Sequence, residues 1–93
     1  MPELHLAGTL TATPERVGQV LDLLDDHIRL TRAEPGCLWF QIVQSRCNPC
    51  EFLVSERFVD RAAFEAHQAR TAGTAWALGT SGLLRAFQIT EKF

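Results

Sequence analysis

No tyrosine occurs in the chain and methionine occurs once, so any chemistry here proceeds without a phenolic hydroxyl from the protein. Cysteine is scarce. Three are present, an odd number that does not suit a disulfide framework, and a reducing compartment would not favour one. No stretch approaches the roughly 18 uninterrupted apolar residues of a membrane-crossing helix. The start, MPELHLAG, has no basic region followed by a long apolar run. A cytoplasmic protein with no membrane partner is the expectation. Nor is there a Lys/Arg block: nine basic residues stand against eleven acidic ones, for a formal net charge of -2. Nucleic-acid affinity draws on clustered positive charge, so no nucleic-acid partner is expected. Arg29 and Arg32 lie close together, but Asp25, Asp26 and Glu34 surround them as on an exposed helix face.

What is present reads as an ordinary globular chain, 46 % hydrophobic and 22 % charged over 93 residues. A single domain spanning 1–93 is expected. A chain of this size buries only roughly 60–65 % of its unfolded surface, so it would profit from a second copy. Residues 4–12, LHLAGTLTA, suit a first strand, with Gly8 marking a bulge or a close approach. Thr13 and Pro14 then form an N-cap and first helical position. Val17, Val20, Leu21, Leu24 and Ile28 recur every three or four residues, as on one helix face, until Pro35-Gly36 ends the helix.

The run CLWFQIVQS, 37–45, predicts a second strand with Cys37, Trp39, Gln41 and Val43 on one face and Leu38, Phe40, Ile42 and Gln44 on the other. Both faces are apolar enough to need cover. RCNPC reads as a turn and 51–59 as a third strand, forming a hairpin. Asp60 caps a helix over about 61–70, with Ala63, Phe64, Ala66 and His67 as inward positions. TAGTAWALGTSG is ambiguous between a short helix and an irregular connection, and 83–90 is a last strand. The order β-α-β-β-α-β predicts an α+β fold: an antiparallel sheet with both helices on one face.

CNPC has the spacing of a redox pair or half a zinc site, but no second ligand motif accompanies it and it falls between two strands; a hairpin turn is the simpler reading. No phosphate-cradling glycine loop or nucleophile elbow appears. Glu51 and Glu56 alternate to opposite strand faces, which argues against a carboxylate pair. Glu56 shares its face with Phe52, Val54 and Phe58 and needs a partner if buried, either a salt bridge or a pocket's ligand. His67 is a candidate proton acceptor, or equally a satisfied core histidine. Trp39, Trp76, Phe40, Phe58 and Phe87 supply either a core or a slot for a flat ligand.

TRAEPGCLWFQIVQS, NPCEFLVSERFVDRAAFEAHQA and the Ala/Gly-rich stretch before LLRAFQIT together resemble the antibiotic biosynthesis monooxygenase family, including its quinol-monooxygenase-like proteins, over nearly the whole chain. The resemblance implies a ferredoxin-like domain that joins a second copy in a dimeric α/β barrel. It implies a small aromatic substrate (a quinol, phenol or anthrone) oxidised by molecular oxygen, with neither metal nor flavin. Some relatives instead bind haem, and a non-catalytic aromatic- or haem-binding protein is the alternative. The histidine of the family's AxxxH helix corresponds to His67, the catalytic candidate. The strand acid corresponds to Glu56, which with Trp39, Gln41, Phe58 and Trp76 makes up the expected substrate-binding set. Ser55 and Phe58 replace the family's usual aromatic and Trp around that acid, and Asn48-Pro49 replaces its Asp-Pro.

Overall fold

The computed structural model describes residues 2–93. Strand β1 (Glu3–Thr11) leads through a 3-10 turn at Pro14–Arg16 into helix α1 (Val17–Arg32). Strands β2 (Cys37–Gln44) and β3 (Glu51–Phe58) form a hairpin, followed by α2 (Arg61–Thr71), a short α3 (Ala75–Gly79) and β4 (Leu84–Lys92). All neighbours in the sheet are antiparallel, in the order β2-β3-β1-β4. This is the expected ferredoxin-like order, with β2 and β4 as its edges. The ambiguous late segment resolves into a short helix because Thr74 caps it, its hydroxyl accepting from the Ala77 amide. Asp60 does the same for α2 through Ala63.

The helices cover one face. Leu4, Leu6 and Leu10 of β1, Phe40 and Ile42 of β2, and Phe52, Val54 and Phe58 of β3 meet Val20, Leu24, Phe64 and Trp76 there. Two expected inward residues, Leu21 on α1 and Ala66 on α2, are exposed instead. The buried stripe of α1 runs Val20, Leu24, His27, Thr31; polar residues continue the apolar face, and a purely hydrophobic periodicity does not follow them. The other sheet face carries Trp39, Gln41, Val43, Leu53, Ser55 and Arg57, and within one chain it is uncovered. Strand β2 is therefore covered on one side only, not on both.

A register shift between Cys37 and Trp39 changes the expected alternation. Cys37 pairs with Phe58 and packs on the helix-side core, whereas Trp39 pairs with Arg57 on the open face. Leu38, as the extra residue, is 51 % exposed. The hairpin turn is held by its polar side chains: Ser45 Oγ accepts from the amides of Cys47 and Asn48, and Asn48 Oδ1 from that of Cys50. All three cysteines are free thiols.

Candidate active site

Glu34 closes α1 just before the Pro35-Gly36 turn. Gly36 has φ +96°, and a Cβ there would lie 2.8 Å from that of Ala63, so only glycine lets the turn press this closely on α2. That contact brings Glu34 to His67. The imidazole Nδ1 lies 3.0 and 3.2 Å from the two carboxylate oxygens. Arg70, one turn further along α2, donates from Nε to the same carboxylate and from Nη2 to Thr31 Oγ1 at 3.0 Å. Beside a carboxylate, Nδ1 keeps its hydrogen and donates, which leaves Nε2 as the free acceptor.

Glu56 faces that acceptor. Its Oε1 is 3.9 Å from His67 Nε2, beyond hydrogen-bond reach, and has no partner among the described residues. Burial, reinforced by the charge of Glu34, pushes the Glu56 carboxyl up to about 7, so near neutral pH it is present in both protonation states. Burial pushes His67 below the ordinary imidazole value and Arg70 adds to this, while the hydrogen bond and charge of Glu34 oppose it. The result is a neutral base next to an acid.

His27, opposite on α1, stacks on Trp76 with ring centroids 4.4 Å apart and planes within 3°, and meets Phe40 edge-on. Burial, then the proximity of His67, Arg70 and Arg85, lowers it to about 3, so it stays neutral. Its Nδ1 is buried and unpartnered among the described residues. His27, Glu56, His67 and Trp76 line a cavity of about 400 Å³ with Leu6, Ile42, Val54 and Phe87; Arg85 stands on its rim. The volume suits a small organic ligand.

Of the residues anticipated from sequence, His67, Glu56 and Trp76 come together. Phe58 does not line the cavity but backs His67, with ring centroids 5.0 Å apart. Trp39 and Gln41 are corrections: they pair with Arg57 and Ser55 on the open face, away from the cavity. Trp39 there lies beneath the Arg57 guanidinium, 5.9 Å from its ring centre.

A model of one protein family, antibiotic biosynthesis monooxygenase, matches residues 4–77. The chain belongs to the antibiotic biosynthesis monooxygenase family. Solved structures agree on the fold. PA3566 from Pseudomonas aeruginosa is 29% identical with a TM-score of 0.75, the match covering 100% of this chain and 94% of that one. A conserved protein from Methanosarcina mazei Go1 is 20% identical with a TM-score of 0.79, covering 100% and 95%. Rv0793 from Mycobacterium tuberculosis is 21% identical with a TM-score of 0.74, covering 95% and 92%. Among curated proteins none matches the sequence.

In this member of the antibiotic biosynthesis monooxygenase family, Glu34, Arg70, His27 and Arg85 are site residues that sequence reasoning passed over. Glu34 was read as one of the charges on an exposed helix face, whereas its side chain is only 14 % exposed and bonds His67. His27 fell on the inward stripe of α1, seven residues after Val20, where a polar side chain signals a cavity rather than solvent.

Proposed function

We propose that this protein is a monooxygenase that oxidises a small phenol, quinol or anthrone with molecular oxygen and needs neither metal nor flavin. The observation that carries the reading is the gap between His67 Nε2 and Glu56 Oε1. At 3.9 Å the two do not bond each other, but one hydroxyl oxygen about 2.8 Å from each satisfies both. His67 accepts the hydroxyl proton, and the resulting anion is electron-rich enough to reduce oxygen by one electron. Recombination of the two radicals at the ring carbon gives a hydroperoxide. Loss of water then leaves a carbonyl. One oxygen atom stays on carbon and the other departs as water, so the substrate itself provides all the electrons. Glu56 in its neutral form supplies a proton to the departing oxygen, and Trp76 with Phe87 holds the ring in apolar surroundings.

The protein acts as a homodimer in this reading, with a second copy on the open sheet face. Oxygen uptake by metal-stripped protein, offered hydroquinones, naphthols and anthrones with autoxidation subtracted, tests the reaction. Saturable uptake is expected, and His67→Ala is expected to slow it by about 10²- to 10⁴-fold without changing the oligomeric state. Unchanged turnover in His67→Ala removes the base. Absence of uptake across the panel, with aromatics or haem still binding, turns the protein into a binding protein.

A further inference from the structure

Charge is distributed unevenly around the cavity. Glu56 sits at the His67 end, with Glu34 behind it already bonded to Arg70. At the other end, Arg16 and Arg85 converge on one turn, residues 79–83. Arg16 donates to the carbonyls of Gly79 and Ser81 at 2.7 and 2.8 Å. Arg85 Nη1 donates to the carbonyls of Thr80 and Leu83, at 3.0 and 3.3 Å, and Nη2 to Thr80 Oγ1 at 2.7 Å. Neither guanidinium enters an ion pair among the described residues. Arg85 Nε has no acceptor among them either. Two like charges thus meet on one turn, and one of them, Arg85, also lines the cavity, whose walls mix polar and apolar side chains, so an anion is the ligand group that complements this end.

Sheet register gives the distance between the two ends. Glu56 pairs with Leu6 of β1 and Arg85 with Leu10, so they are offset by about 13 Å along the strands and by two strand spacings, about 10 Å, across them. Both side chains lie on the helix side, where they line the same cavity. A single ring does not bridge that offset; a fused two-ring frame carrying groups at opposite ends fits better.

We infer that the cavity selects an aromatic acid of at least two rings, with its hydroxyl between His67 and Glu56 and a carboxylate, or an equivalent anion, at the far end on Arg85. The inference rests on the proposed use of the His67 end for a hydroxyl. Glu56 repels an anion from the reacting end, and Arg85 attracts it to the other, so the pair orients the ligand as well as holding it.

Calorimetric binding of 6-hydroxy-2-naphthoate, 3-hydroxy-2-naphthoate and 2-naphthol tests this without any turnover. The first carries its two groups at opposite ends, the second carries them side by side, and the third has no acid. The 6-hydroxy isomer is expected to bind at least about tenfold more tightly than 2-naphthol, as a charge-assisted hydrogen bond allows, and more tightly than the 3-hydroxy isomer. Arg85→Gln is expected to abolish the preference and Arg85→Lys to keep part of it. Equal binding of acid and naphthol, a 3-hydroxy isomer that binds as well as the 6-hydroxy, or a preference that survives Arg85→Gln overturns the inference. Should Arg85→Gln fail to fold once the turn is released, salt decides with the unaltered protein. A preference that does not weaken between about 0.05 and 0.5 M salt is not carried by the guanidinium. Oxygen uptake with 2-naphthol but no preference for the acid overturns this inference alone; acid binding without uptake overturns the oxygenase reading alone.

Discussion

Glu34 acts on two groups at once, and the signs of its effects can be separated. Its charge raises both His67 and Glu56. Glu34→Gln is therefore expected to lower the titration of both, and the His67 ring is expected to lose its fixed tautomer; an NMR titration that finds either group unmoved rejects the coupling. His27 makes an independent prediction about stability. The unfolded chain takes up a proton on this imidazole near its ordinary value of 6.5, the folded chain only near 3. Stability is thus lost as pH falls through that window, by on the order of 3 to 5 kcal/mol. His27→Phe keeps a ring against Trp76 and removes the ionisable group. Its acid unfolding midpoint, followed by circular dichroism, should move to lower pH, and an unchanged midpoint means that other groups govern acid denaturation. At this scale the sequence spoke unevenly. His67, Glu56 and Trp76 were legible because a polar or aromatic side chain at a helical or alternating inward position is conspicuous. Trp39 and Gln41 were misplaced because strand alternation separates two faces without saying which one joins Glu56. That is decided by the pairing of Phe40 with Glu56, a register set by the hairpin turn.

Between elements, β4 lies close against β1 at Gly8. A Cβ built there would stand 2.0 Å from the carbonyl oxygen of Ala86 and 2.8 Å from the Phe87 Cα, so at this point β1 keeps its place beside β4 only with glycine. Strand β4 depends on that seam, since among the described residues β1 is its only partner in the sheet and all its residues are exposed. Gly8→Ala is expected to destabilise the protein by roughly 1–3 kcal/mol, as overpacking does elsewhere, and to loosen β4 first. Urea unfolding gives the magnitude, and amide exchange along β4 identifies the element; full protection of β4 in the variant contradicts the account. Sequence alone marked Gly8 as a bulge or a close approach, and the second applies. The elements themselves were legible from alternation, capping residues and the Pro-Gly stop. The α3 segment was not, because its five residues carry too short a pattern and its existence rests on one capping hydroxyl, that of Thr74.

For the whole molecule, the sheet separates two surfaces with different tasks. The residues that line the cavity lie on the helix side of the sheet. The open face has a row running Val43, Leu53, Thr9, Ala86 across all four strands, and a neighbouring row of Gln41, Ser55, Ala7 and Gln88. Small side chains fill the middle, while Trp39, Val43 and Leu53, each at least 41 % exposed, stand towards one edge. Such a surface is flat enough for another sheet to approach to about 10 Å. The second copy inferred from this face makes a prediction that distinguishes assembly from folding. Leu53 takes no part in the buried core, so Leu53→Glu is expected to preserve the circular dichroism spectrum and convert a dimer into a monomer in sedimentation. Because the cavity draws on the opposite side chains of the same strands, the monomer should still bind 6-hydroxy-2-naphthoate with little change. A monomeric unaltered protein removes the homodimer. A monomeric variant that no longer binds would show instead that the second copy shapes the cavity, through the edge strand β4, whose residues are all exposed.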